Sequence, residues 1–392
     1  MNSTFDSPNP ILFGCGLSSV VGEKLTDLGC KKVLVVYDQG IKAAGVADKI
    51  INYIHDAGIE TVLFDKVEAD PPDYLVHEAG ALGVAEDVDG IVGIGGGSSL
   101  DTAKGARILL TNPPPITAYT TSRVKGVEVR DTPIDETKLK PLIVIPTTAG
   151  TGSELTFSSV ITDTRNHYKM TVKNAYTAAR TAVCDPELTL SVPPGVTAST
   201  GVDALTHAIE AFTASCSNPI SDAVALYAVE LIFGSLLKAF EYGGNLEARS
   251  DMLMGSMLAG IAFSHSDVAS VHCIAESLGG MYDLPHGACN AIILPYMMTY
   301  NIDYCEGRYA RIAKAIGLAG FDTEREGAEA AVEAVKKLAS DVRLPSFSSL
   351  GVDPADYDKI AAASAKNIST ESNPRPMSHD DYLAVLKMAN GQ

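Results

Sequence analysis

The first 150 residues alternate short β-rich runs with helical patterns, and this alternation restricts the fold more than any other feature of the chain. KKVLVVYD (31–38) reads as a buried strand, GVADKIINYIHDAG as a helix, ETVLFD (60–65) as a strand and YLVHEAGALGVAED as a helix. GIVGIGGG (90–97) then reads as a strand and turn, SSLDTAKGARILL as a helix, and PLIVIPTT (141–148) as another strand. Strands separated by helices return in the same direction, which implies a parallel sheet with crossover helices. The segment 111–140, with Pro113 to Pro115 and mixed charge, reads as a long loop or hairpin insertion.

After about residue 190 the pattern changes. Apolar residues recur at helical spacing over 197–214, 219–242, 246–263, 268–281, 305–317, 323–342, 354–366 and 378–390. Ser191-Val192-Pro193-Pro194-Gly195 marks the break. At 392 residues the chain is too long for one ordinary core. The expected fold class is α/β, with an N-terminal Rossmann-like parallel-sheet domain (1–190) followed by an all-helical domain (191–392).

A formal net charge of -18 argues against a nucleic-acid partner, because phosphate binding needs clustered Lys and Arg. The N-terminal MNSTFDSPNPILFGCG lacks a basic segment followed by an apolar one, and no stretch approaches 18 uninterrupted apolar residues. The expectation is a soluble cytoplasmic protein with no membrane partner. Seven scattered cysteines without a C-x-x-C pair fit reduced thiols.

GIGGGSSLDTAK (93–104) stands where a strand runs into a helix. Gly95, Gly96 and Gly97 let the backbone approach a ligand closely, Ser98 and Ser99 can cap the helix, and its first-turn N–H groups favour an anion. The same run also suits an ordinary tight turn, and it is not the G-x-G-x-x-G fingerprint. A second small-residue turn, PTTAGTGSE (146–154), offers Thr147, Thr148, Thr151 and Ser153 with Gly150 and Gly152. Ligands bind at the carboxyl ends of strands in open α/β sheets, so two such turns favour a dinucleotide over a single phosphate. Asp38 ends the first strong strand. A carboxylate there accepts hydrogen bonds from a ribose and repels a 2'-phosphate, favouring NAD over NADP; the alternative is a plain helix cap.

Chemistry of another kind is suggested by GVDALTHAIEA and VHCIAESLGGMYDLPHG. Asp203 and His207, four residues apart in an apolar-periodic segment, project from one face of a helix. His272 heads a second helical segment, and His286 follows Pro285 in a short turn. One carboxylate and three imidazoles suit Fe(II) or Zn(II) better than Mg or Ca, which take oxygen ligands. The competing reading of each His is a hydrogen-bonded core or surface residue. Cys273, beside His272, points about 100° away from it and is set aside.

Together these residues resemble the iron-containing (group III) alcohol dehydrogenases of the dehydroquinate-synthase-like superfamily. The likeness runs through GGGSSLDTAK, IPTTAGTGSE, DPELT (185–189), GVDALTHAIEA, NPISDAVAL, LAGIAFS, the HCIAESLGG to LPHGACNAIILP stretch and NPRP (373–376). The resemblance implies a metal bound in the cleft between the domains, with NAD(P) on the first. It makes Asp203, His207, His272 and His286 the metal ligands and places Asp38, Gly96, Gly97, Ser98, Thr147, Thr148, Thr151 and Lys169 around the cofactor. Phe263 becomes a wall of the substrate pocket.

Three departures stand out. The chain has Asp70 where the family usually has Asn before Pro, at the nicotinamide side. It has Glu276 where the family commonly carries His four residues after the third ligand, as a relay or as an acceptor that orients an imidazole. His265 and Asp267 replace Asn and a small residue, making the pocket rim more polar. The implied activity is metal-assisted hydride transfer between a small primary alcohol or diol, or its aldehyde, and NAD, with Fe(II) as the metal, Zn(II) as the alternative, and a homodimer or larger homo-oligomer as the assembly. Rival readings are a glycerol-dehydrogenase-like polyol enzyme, a dehydroquinate-synthase-like lyase using NAD transiently, and a scaffold retaining an inherited site.

Overall fold

A computed structural model describes Phe5 and residues 9–124, 127–130, 132–166 and 168–391. Strand β1 (Ile11–Phe13) and helix α1 (Val21–Asp27) precede β2 (Lys32–Asp38), α2 (Gln39–Ala43) and α3 (Val46–Asp56). The alternation continues through β3 (Glu60–Val67), α4 (Asp73–Ala85), β4 (Gly90–Gly95) and α5 (Gly97–Leu109). Hairpin strands β5 (Thr121–Val124) and β6 (Val127–Arg130) follow, then β7 (Leu142–Pro146), a second hairpin of β8 (Ser158–Asp163) and β9 (Tyr168–Lys173), and β10 (Thr181–Cys184).

Six strands form one sheet in the order β1-β10-β7-β4-β2-β3, and every neighbouring pair is parallel. Val33, Leu34, Val35 and Val36 of β2 are all fully buried, so this strand reads as a continuous apolar run covered on both faces. The chain builds outward from β2 to β3, then returns to the other side of β2 as β4 and continues to β7. The crevice at the carboxyl ends of β2 and β4 is therefore the switch point of the sheet, where such folds bind ligands.

The 111–140 segment contains the β5–β6 hairpin, antiparallel and separate from the main sheet. Four strands have no counterpart in the sequence reading of the main alternation. β1 and β10 are only 3 and 4 residues long, too short to show a period. β8 and β9 pair with each other, and β8 alternates half-buried and buried residues beneath a polar sequence, SSVITD.

The second half is helical: α6 (Pro194–Thr213), α7 (Pro219–Glu241), α8 (Leu246–Ser264), α9 (Ser270–Tyr282), α10 (His286–Ala315), α11 (Glu324–Asp341), α12 (Tyr357–Ser364) and α13 (His379–Ala389). One correction concerns α10. The periodicity places a helix at 305–317 and His286 in a short turn, whereas a single 30-residue helix begins at His286, capped by Pro285, and runs through Pro295. The NAIILPYMM stretch is buried on nearly all sides, which erases the amphipathic period, and its proline reads as a break. By length and composition alone α7 could cross a membrane. Its Ala225, Ala228, Val229, Ile232 and Leu236 are buried in the helical core beside Leu205, Ile209 and Phe212 of α6.

The chain divides into two compact units. One comprises Asp6–Thr148 and Ser153–Ser191; the other comprises Val192–Gln392 with Met1–Phe5 and Ala149–Gly152. Four residues of the second small-residue turn thus belong with the helices. Gly152 has φ +59°, and a Cβ there would lie 2.7 Å from the Cα of Gly260 on α8, so two backbones touch where neither residue has a side chain.

Candidate metal centre and cofactor turns

Helix α6 presents Asp203, His207 and Glu210 along one face, and all three are buried. Helix α9 brings in His272. One ligand atom each from Asp203, His207 and His272 lies within 4.8 Å of the others. His207 Nε2 and His272 Nε2 are 3.0 Å apart, and His207 Nδ1 lies 3.9 Å from Asp203 Oδ1. His286 stands beside them at the start of α10, its ring centroid 5.4 Å from that of His272. The four residues expected as ligands therefore converge from three helices.

Two partners of this cluster are absent from the sequence reading. Glu210 Oε2 accepts from His272 Nδ1 at 2.5 Å and from the Ala269 N–H at 2.9 Å, while Oε1 accepts from the Val271 N–H at 2.7 Å. The carboxylate satisfies the first-turn donors of α9 and aims His272 Nε2 at His207. Asn290, one turn after His286, donates to Asp203 Oδ1 at 2.8 Å and stands 3.1 Å from His286 Nε2. Both residues are legible in retrospect: Glu210 is at i+3 from His207 and Asn290 at i+4 from His286.

Burial pulls the His207 pKa down to about 4, with Asp203 opposing. The ring is therefore neutral at pH 7, the form that ligates metals. Burial also works against charge on His272, but the Glu210 carboxylate outweighs it and raises that pKa above the ordinary value. His207 Nδ1 is buried with no hydrogen-bond partner among the described residues. Mixed nitrogen and oxygen donors, a neutral imidazole and an orphaned nitrogen fit a divalent transition-metal ion.

Phe263 stacks on His207 with ring centroids 4.6 Å apart and so lies against the cluster. His265 is farther along; its ring stacks on Phe5 at 4.0 Å, and Nδ1 is 2.9 Å from the Ile261 carbonyl. Asp267 accepts from the hydroxyls of Ser369 at 3.2 Å and Ser372 at 2.7 Å, joining the α8–α9 loop to segment 368–372. Glu276 Oε2 accepts from Asn367 Nδ2 at 2.6 Å. The acceptor bonded to the His272 imidazole is thus Glu210.

In the α/β unit the glycine turn sits at the sheet's switch point. Asp38 Oδ1 accepts from the Ile41 N–H at 3.0 Å, capping α2, and its Oδ2 accepts from the Ser99 hydroxyl at 3.3 Å. Ser98 and Ser99 do not cap α5, contrary to the sequence reading: Gly96 occupies the cap position without a side-chain bond. The first-turn N–H groups are accordingly left for another acceptor. A Cβ on Gly96 would stand 3.0 Å from Thr148 Oγ1, and one on Gly95, at φ +144°, 2.5 Å from Ser99 Oγ. Glycine keeps this cradle open.

Thr147 donates its N–H to the Gly95 carbonyl at 3.0 Å, tying the two turns together, and its buried hydroxyl has no partner among the described residues. Thr151 lies in the four-residue piece grouped with the helical unit. Lys169 Nζ lies 2.6 Å from Asp70 Oδ1, and the Asp70 N–H donates to Ser98 Oγ at 3.3 Å. Asp38, Asp70, Gly95, Gly96, Gly97, Ser98, Thr147, Thr148 and Lys169 all belong to this unit. An open glycine cradle, a helix start without a side-chain cap and a threonine hydroxyl with no partner among the described residues fit a dinucleotide's phosphates.

Behind the second turn stands a fully buried lysine. Lys104 Nζ donates to the carbonyls of Ser153 (2.6 Å) and Ser158 (2.7 Å) and to the hydroxyls of Ser153 and Thr156, both at 2.9 Å. Glu154 is buried beside it, and burial pushes its carboxyl up to about 7. These bonds fasten the chain that leaves the turn to α5.

A parallel α/β unit with a phosphate cradle at its switch point, and a helical unit with an Asp/His donor set, are the two halves of a metal-dependent, dinucleotide-linked oxidoreductase. The sequence matches the family profile described as iron-containing alcohol dehydrogenase over residues 8–186, and the C-terminal profile of the Fe-containing alcohol dehydrogenase family over residues 197–390. It is 40% identical over 385 residues to choline dehydrogenase of Bacillus subtilis (strain 168), covering 98% of this chain and 94% of that one. It is 38% identical over 387 residues to 1,3-propanediol dehydrogenase of Klebsiella pneumoniae, covering 97% of each. A crystal structure of 1,3-propanediol oxidoreductase matches with a TM-score of 0.93 at 36% identity, covering 99% of this chain and 100% of that one. The chain belongs to the iron-containing alcohol dehydrogenase family, and its activity is that of an alcohol dehydrogenase.

Proposed function

We propose that this dehydrogenase interconverts a small primary alcohol or diol with its aldehyde, using NAD in preference to NADP and Fe(II) in preference to Zn(II). The observation that carries the reading is the convergence of Asp203, His207 and His272, one ligand atom of each within 4.8 Å of the others, with Glu210 bonded behind His272. Asp203, His207, His272 and His286 would hold the ion. A divalent cation held there would supply Lewis acidity toward an alcohol hydroxyl. NAD, held by the residues of the glycine turn, would supply the hydride acceptor.

The remaining work falls to the chain's own residues. Glu210 keeps His272 in one orientation, and Asn290 restrains Asp203 beside His286. Phe263 covers one face of His207 and excludes water there. Gly95, Gly96, Gly97 and Ser98, with Thr147 and Thr148, cradle the cofactor's phosphates, and Lys169 supplies positive charge beside them. Asp38 receives the adenosine ribose and disfavours a 2'-phosphate. Glu276 acts through Asn367 on segment 367–372, while His265 and Asp267 give the pocket rim its polarity. Residues 1–190 serve the cofactor and 191–392 the metal and substrate. The chain works as a soluble cytoplasmic homodimer or larger homo-oligomer, its seven cysteines held as thiols and none in a disulfide.

The test is a panel of short alcohols, diols and choline with NAD or NADP after reconstitution with Fe(II) or Zn(II). NAD-linked oxidation of a primary alcohol, strongest with Fe(II), is expected. Absence of turnover with every member of the panel under both metals would overturn the proposal.

A further inference from the structure

We propose that Asp70 is a built-in counter-ion that competes with the cofactor's diphosphate for Lys169, and so sets how tightly the enzyme holds NAD(H). The inference rests on the reading that Lys169 and the glycine turn bind the cofactor.

Lys169 lies in β9 with its side chain only 6% exposed, and its ammonium stands 2.6 Å from Asp70 Oδ1. An ammonium so far removed from water needs a charged partner, and in this chain Asp70 provides it. Asp70 is not a loosely held surface acid. Its φ of +50° is a conformation that Asn and Asp adopt more readily than other side chains. The Thr162 hydroxyl donates to its carbonyl at 2.8 Å, and its own N–H reaches Ser98 Oγ at 3.3 Å. Those bonds hold a carboxylate, one-third exposed, beside the turn that opens α5. The turn's uncapped N–H groups and Lys169 are the two positive features an anion would use there. A fixed negative charge shared with them opposes a second negative charge arriving at the same place.

Asparagine separates charge from position. Asp70→Asn keeps the left-handed backbone and an oxygen acceptor for Lys169 while removing the charge. NADH binding to the metal-loaded enzyme can be followed by fluorescence titration for the parent, Asp70→Asn, Lys169→Met and the double variant. Asp70→Asn is expected to tighten NADH by about five- to tenfold at low salt, with the gain shrinking as salt screens the charge. Lys169→Met should weaken binding, and the gain from Asp70→Asn should be smaller in the Lys169→Met background than in the parent. If Asp70→Asn binds NADH equally or more weakly while Lys169→Met weakens it, Asp70 positions the lysine and the competition is wrong. If Lys169→Met leaves binding unchanged, the reading of Lys169 as a cofactor contact fails with it.

Discussion

The cofactor turns and the metal cluster solve the same problem, fixing polar groups for a ligand, with opposite materials. Around Gly95, Gly96 and Gly97 the backbone is the binding surface, and side chains matter chiefly by being absent. Around Asp203, His207 and His272 the backbone is ordinary helix and the side chains do the binding, each oriented by another side chain such as Glu210. Damage should therefore spread differently. Adding one carbon should disable the turn, whereas the cluster should fail when a donor, or the group that orients it, is removed.

The largest effect is expected from His272→Ala. It should abolish bound metal, measured by elemental analysis, and lower kcat by more than the roughly 10- to 100-fold typical of outer partners. Normal metal content with full turnover would break the side-chain half of the comparison. Glu210→Ala should weaken metal affinity by about 10- to 100-fold and destabilise the fold by about 2 kcal/mol, because the Ala269 and Val271 N–H groups lose their acceptor. Competition with a chelator and urea unfolding measure the two.

Gly96→Ala probes the other region. Its Cβ would crowd Thr148 at 3.0 Å, and NADH affinity should fall by about tenfold with metal content unchanged. A loss of metal in this variant would show that the two regions are not separable. The smallest effect is expected at Glu154, where burial pushes the carboxyl above its ordinary range, up to about 7. Such a group contributes most below its unfolded pKa and loses that contribution as pH rises through about 7. Glu154→Gln should accordingly unfold at a higher temperature than the parent at pH 8, with the gap closing toward pH 5.

The two regions also differ in how far they could be read from residues alone. The i,i+4 spacing of Asp203 and His207 survives folding unchanged because a helix carries its face with it. Glu210 lies on the same face but resembles any polar residue in a long helix, and only its bonds to the start of α9 distinguish it. The parallel sheet was legible from the alternation of elements; β1 and β10, the strands that extend it past β7, are too short to carry a period. Pro295 hid the continuity of α10 and with it the helical placement of His286. Ser98 and Ser99 looked like caps because of their type, yet the helix begins at glycine, without a side-chain cap.

The Gly152–Gly260 contact bears on how this protein could be taken apart. Residues 149–152 lie within the N-terminal half of the polypeptide but group with the helices, so the chain passes from one unit to the other and back within four residues. A gene cut at residue 192 would yield a helical fragment missing that excursion, with the Cα of Gly260 laid bare. Shuffling the two halves of such enzymes as cassettes would therefore require grafting a four-residue tether as well.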